Sequence, residues 1–185
     1  MKFRKHFTNL CELPWMIIPI VGVGWLSARI ATGSHDLLEI AARIRVISIT
    51  QLVGFACGVT IKFIYYKDRP KPQAYHNRRQ KIDASSFPSI HTARATIFMC
   101  FGLLLSYILY HQHGQQMTTG NLILIITSLV FYLMIAYSRI ILKKHFFIDV
   151  VFGTLLGLVT VAFSWIHLDA IAAGFTLVSG RFSFL

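Results

Sequence analysis

The chain is predicted to be an all-α integral membrane protein with about five transmembrane helices, and three observations carry that prediction. Hydrophobic residues make up 55% of its 185 residues and the mean hydropathy is strongly positive, a combination rare in a soluble domain of this size. The apolar residues fall into blocks long enough to cross a hydrocarbon layer, where a helix satisfies all of its own backbone groups. The charge is lopsided, with 18 Lys and Arg against 7 Asp and Glu, and the cations lie mainly between those blocks. In a soluble protein such an excess points to nucleic acid. Between apolar spans it points to anionic headgroups, so the expected partners are membrane lipids and no nucleic acid. The length fits a single domain, residues 1–185.

Residues 1–13 carry Lys2, Arg4 and Lys5 among Phe3, Phe7 and Leu10, the pattern of an interfacial N-terminal segment. The first apolar span, residues 14–30, is long and has no small-residue cleavage site, so it reads as a retained helix rather than a removed signal. A polar link follows, in which Asp36 is placed to cap the next helix. The second span covers residues 46–66 and is expected to end near Lys67, because Pro70 cannot continue a helix. Residues 68–88 form the longest polar connection, a cation-rich loop containing Arg69, Lys71, Arg78, Arg79 and Lys81. The third, fourth and fifth spans are expected at 89–110, 122–142 and 146–168, and the tail to Leu185 is too broken for a further crossing. Cys11, Cys57 and Cys100 lack metal-type spacing and imply neither a disulfide nor a zinc site.

The polar interruption at residues 138–149 reads Ser-Arg-Ile-Ile-Leu-Lys-Lys-His-Phe-Phe-Ile-Asp. His145 and Asp149 are four apart, so on one helix they share a face, and a carboxylate beside an imidazole fixes its tautomer. Arg139 supplies a permanent cation suited to phosphate oxygens. The plainer alternative is that Asp149 favours a helix N-terminus while Arg139 and the lysines sit at a lipid interface. Counting crossings brings this stretch back to the membrane face of the 68–88 loop. There, Lys62 and Arg69 point the same way if the helix persists between them. A lysine inside an apolar span either faces a polar cavity or snorkels. Ser89, Ile90 and His91 open the third span, where free backbone N–H groups form an anion site or an ordinary capped start.

These three groups carry a resemblance to the type 2 phosphatidic acid phosphatase (PAP2) superfamily, which shares its motifs with vanadium haloperoxidases. The first family motif, a lysine separated by six residues from Arg-Pro, is met by Lys62, Arg69 and Pro70. The third is met by Ser138, Arg139, His145 and Asp149. The second, usually Pro-Ser-Gly-His, here reads Pro88-Ser89-Ile90-His91, with isoleucine in place of glycine. If that position donates only its backbone N–H, isoleucine serves at negative φ, though it is expected to narrow the pocket beside the phosphate. The motifs span Lys62 to Asp149 in the right order and spacing. The resemblance implies a PAP2-like bundle, although the family usually has six transmembrane helices.

The expected chemistry is metal-independent hydrolysis of a lipid phosphate or diphosphate through a phosphohistidine. His145, oriented by Asp149, attacks phosphorus; His91 protonates the leaving oxygen and then activates water. Lys62, Arg69, Arg139, Ser89 and the Ile90 N–H surround the phosphate oxygens. No cofactor is expected, and the few scattered acidic residues do not suit a two-metal site. The lipid is expected to be a bacterial phospholipid phosphate (phosphatidic acid, phosphatidylglycerophosphate) or undecaprenyl diphosphate. A lipid A phosphatase, a lipid diphosphate phosphotransferase and a non-catalytic lipid-binding or transport protein are the alternatives. Counting cations would place the catalytic face in the cytoplasm. Several of those cations bind phosphate in this scheme, and the resemblance instead implies a bacterial inner membrane with the site facing the periplasm or exterior.

Overall fold

A computed structural model describes residues 37–71, 74–112 and 115–167. They form five helices and no strand: α1 (Leu37–Ile64), α2 (Arg78–Ala84), α3 (Ile90–Gln112), α4 (Thr119–Ile141) and α5 (Phe147–Ile166). Four contain stretches long and apolar enough to cross a membrane: Val46–Ile64, Ile90–His111, Thr119–Ile141 and Phe147–Ile166. These match the second to fifth expected spans. The interfacial segment at 1–13, the first span at 14–30 and the tail lie outside the described residues.

The bundle has the inside-out composition of a membrane protein. Phe63, Leu133, Val159 and Ile166 face outward, whereas Thr50, Thr92, Thr96, Ser106, Ser128, Thr160 and Ser164 are buried. Lipid is as apolar as leucine, so helices gain by close backbone approach and polar contacts rather than by hiding large side chains. α3 lies at the centre, touching α1, α4 and α5. By connectivity, α1 runs toward one end of the bundle, α3 leaves it, α4 returns and α5 leaves again. The C-terminus of α1, the C-terminus of α4 and the N-termini of α3 and α5 therefore share that end.

Two local features differ from expectation. α1 stops at Ile64 rather than near Lys67, with Tyr65 N–H still bonded to the Ile61 carbonyl at 2.8 Å. Beyond it, the Lys67 N–H donates to Ser85 Oγ at 3.3 Å and the Lys67 carbonyl accepts from Ser86 N–H at 2.8 Å. Those bonds satisfy backbone that a further helical turn would otherwise satisfy. The 68–88 connection also contains a short helix, α2, where a loop was expected. The Asn77 side chain accepts the Gln80 N–H at 2.8 Å, while Gln80 Oε1 accepts the His76 N–H at 2.7 Å. That is a variation on the capping box, legible in the Asn77-x-x-Gln80 spacing.

Candidate active site

The convergence expected from counting crossings is present. Its scaffold is a pair of consecutive carbonyls, those of Ser85 and Ser86. Lys62 Nζ, on the last turn of α1, donates to the Ser85 carbonyl, and His145 Nδ1 donates to the Ser86 carbonyl. The Ser86 hydroxyl donates in turn to the Asp68 carbonyl at 2.9 Å. Lys62 is 6% exposed and His145 4%, so both are held inside the protein rather than reaching out to water.

The Ser86 carbonyl decides the tautomer of His145. A carbonyl only accepts, so Nδ1 carries the proton and Nε2 keeps its lone pair. Burial, followed by the charge of Lys62 and those of Arg69 and Arg139, holds this imidazole far below its ordinary value, at about 3; the bond to Ser86 pulls the other way. The ring is thus neutral at physiological pH, with one nitrogen available as a nucleophile. Arg69 is pulled below its ordinary value by burial and by the neighbouring Arg139 charge, as expected of cations crowded around an anion site. Its Nη2 donates to the Asp83 carbonyl at the end of α2. The α1 helix does not persist to Arg69, so this residue reaches the site from the non-helical segment beyond Ile64.

The turn after α4 places His145 beside Arg139. Lys143 adopts φ 54°, in the left-handed region, and the N–H groups of Lys144 and His145 both return to the Arg139 carbonyl, at 3.1 and 3.2 Å. Arg139 is 1% exposed and its Nε donates to Ser138 Oγ at 3.2 Å. His145 lies in this turn, two residues ahead of α5, so it does not share a helical face with Asp149. Asp149 is fully buried, but its oxygens are engaged elsewhere. Oδ2 accepts the Phe146 N–H at 2.8 Å, stabilising the start of α5, and Oδ1 pairs with Lys67 Nζ at 2.6 Å. The expected carboxylate–imidazole contact is thus replaced by the Ser86 carbonyl, and Asp149 instead holds the start of α5, two residues beyond His145.

Ser89 and His91 approach from α3. The Ser89 N–H donates to the Asp149 carbonyl at 3.0 Å, and Ser89 Oγ shares a 2.8 Å hydrogen bond with Thr92 Oγ1. This junction needs Gly153, because a Cβ there would run into the Ser89 carbonyl. The charges of Arg139, Arg94 and Lys62 act at the His91 ring, which places His91 in the same electrostatic neighbourhood.

The isoleucine in the second motif turns toward α1. Ile90 packs over Gly58 of α1, where an added Cβ would come within 2.9 Å of Ile90 Cγ1. Its φ is not positive, so its backbone is available in the ordinary helical range. The position where the motif usually has glycine thus meets a glycine on the facing helix.

The residues expected from sequence, Lys62, Arg69, Ser89, Ile90, His91, Arg139, His145 and Asp149, gather at one end of the bundle, and Ser85, Ser86 and Lys67, which were not expected there, join them. Lys67 Nζ, besides pairing with Asp149, lies 4.8 Å from the centre of the Phe146 ring and 5.9 Å from that of Phe87. The loop cation Lys81 lies over Tyr66 and Tyr75 at 5.3 and 6.0 Å, outside the cluster. Among the described residues, no group of three His, Cys, Asp or Glu side chains is arranged to hold a metal ion.

No curated protein and no solved structure matches the chain. The PAP2 superfamily model matches residues 44–171, which covers all three motifs and all four spans. With an all-helical, membrane-capable bundle and the motif residues gathered at one end, this chain belongs to the PAP2 superfamily.

Proposed function

We propose that this chain is a lipid phosphate or diphosphate phosphatase that works through a phosphohistidine on His145. The carrying observation is the state of that ring: buried, neutral, bonded through Nδ1 to Ser86, and subject to the charges of Lys62, Arg69 and Arg139. Family membership supports phosphatase activity in general. The position of the cluster at the end of four apolar helices favours a substrate whose phosphate sits at headgroup depth. A bacterial phospholipid phosphate or undecaprenyl diphosphate fits that description.

The Nε2 lone pair forms the N–P bond while the P–O bond to the leaving group breaks, and the bonding pair departs on the leaving oxygen. His91, protonated once the bound phosphate offsets the surrounding cations, gives that oxygen its proton. His91 then takes a proton from water as the water oxygen attacks phosphorus, and the N–P electrons return to His145. Lys62, Arg69 and Arg139 neutralise the equatorial oxygens, aided by Ser89 and the Ile90 N–H. The Gly58 socket for Ile90 supports the catalytic reading over that of a non-catalytic relative.

Purified protein should release orthophosphate from lipid phosphates, be inhibited by orthovanadate and be insensitive to EDTA. His145→Ala should lose about 10⁴-fold or more in turnover. A folded His145→Ala protein with near-wild-type turnover would end this reading. The catalytic end is assigned to the outer face of a bacterial inner membrane; a reporter fused at Gln115, on the opposite end, should accordingly report cytoplasm.

A further inference from the structure

Four charged residues lie within the candidate spans: Lys62, Arg94, Arg139 and Asp149. Three belong to the site already described. Arg94 does not, and an arginine inside a span is costly unless it meets a partner. Its Nε is buried with no hydrogen-bond partner among the described residues. It stands one turn beyond His91 on α3, with Ile90 and Ile97 on the strip facing α1; Ile90 packs on Gly58 and Ile97 on Gly54. From α1, Gln51 Nε2 donates to the Arg94 carbonyl at 3.1 Å, and Gln51 Oε1 is likewise buried without a partner. Side chains on a helix lean toward its N-terminus, here toward His91 and the phosphate cluster. The Arg94 charge is felt at the His91 ring.

We propose that Arg94 binds the lipid-side phosphate of a lipid diphosphate and makes diphosphates the preferred substrates. This inference rests on the phosphohistidine reading above. In-line displacement puts the leaving group opposite His145, on the His91 side. A lipid monophosphate leaves as an alcohol oxygen, which needs a proton and no further cation. A diphosphate leaves as a lipid monophosphate: the bond between the terminal phosphorus and the bridging oxygen breaks, and the electron pair stays on a group already anionic. A cation one turn beyond the general acid meets that charge where it develops. Water then releases orthophosphate from His145, and the lipid monophosphate departs.

The test compares orthophosphate release from a polyprenyl diphosphate and from the monophosphate of the same chain, in one detergent and on one preparation. The ratio of the two kcat/KM values does not depend on the fraction of protein that is folded. The wild type should prefer the diphosphate. Arg94→Gln should lower that ratio at least tenfold, and Arg94→Lys should retain most of it. An unchanged ratio in Arg94→Gln, or a wild type without diphosphate preference, overturns the proposal and leaves the phosphohistidine reading standing. Retained release by folded His145→Ala instead strikes at that reading, because the nucleophile would then lie elsewhere.

Discussion

The two ends of the bundle treat buried polar groups in opposite ways. At the end away from the motifs, Asn121 is fully buried and served on several sides. Its Nδ2 donates to the Ser106 carbonyl at 3.0 Å, its own carbonyl accepts from Ser106 Oγ at 3.3 Å, and Thr118 Oγ1 donates to its Oδ1 at 2.5 Å. Neutral donors and acceptors balance there, and the knot joins α3 to the start of α4. At the motif end, Lys62, Arg69 and Arg139 crowd one neutral histidine, and like charges press on one another. A saturated neutral knot stabilises helix association. Cations crowded around an uncharged imidazole repel one another, and an anion among them would relieve that repulsion. Under the proposed function, polarity deep in the bundle serves packing at one end and chemistry at the other.

The largest expected effect that would break this contrast lies in the cation cluster. Arg139→Ala should lower kcat/KM by about 10²–10³-fold, measured as phosphate release with protein amount and folding matched by gel filtration. Arg139→Lys should recover only part, since an ammonium lacks the paired donors of a guanidinium. A loss below threefold would mean that the cluster is not a phosphate site.

Lys67→Met comes next. It leaves buried Asp149 without its cation and loosens the start of α5, so kcat should fall roughly tenfold with little change in KM. Lys67→Arg should recover much of kcat. A change confined to KM would place Lys67 on the substrate instead. Of similar size, Gly58→Ala should lower kcat/KM by about tenfold by displacing Ile90, and the double variant with Ile90→Gly should restore most of it, a coupling that independent sites would not show.

The His145 ring gives a pH test of the same contrast. Its folded value is depressed to about 3, whereas an unfolded histidine titrates near 6.5. As pH falls between those values, the unfolded chain takes up a proton that the folded ring refuses. Stability contributed by this group is therefore complete above about pH 6.5 and is lost toward pH 3. The ¹⁵N resonances that vanish in His145→Ala should show no titration between pH 5 and 8; a midpoint near 6.5 would contradict the buried neutral state. The smallest effect belongs to the opposite end. Asn121→Ala should lower thermal stability in detergent by about 1–2 kcal/mol while kcat/KM of the folded protein stays within twofold.

Much of the site was legible because its groups are tied to chemistry that few residues perform. Lys62, Arg69, Arg139 and the two histidines stand at spacings that survive any detail of the loops, and alternation of apolar runs with cationic islands dictated that they meet at one end. Asp149 was found, yet its partner was misjudged, since a spacing of four implies contact only if a helix runs through both residues. The turn built on the Arg139 carbonyl and the left-handed Lys143 prevents that. Ser85 and Ser86 act through backbone carbonyls, which every residue possesses, so no side-chain pattern announces them. Lys67 entered the sequence reading only as the expected end of a helix, and it is the fold that sets it against a carboxylate 82 positions away.

Fold class, the number and order of the described spans and the identity of the charged site groups are properties of local composition and hydrocarbon thickness. They could be read along one dimension. The tautomer of His145, the partner of Asp149 and the socket that receives Ile90 arise where separate helices meet. Backbone carbonyls, absent side chains and the depth of a charge exert their effects across space, and no linear spacing encodes which of them will face each other.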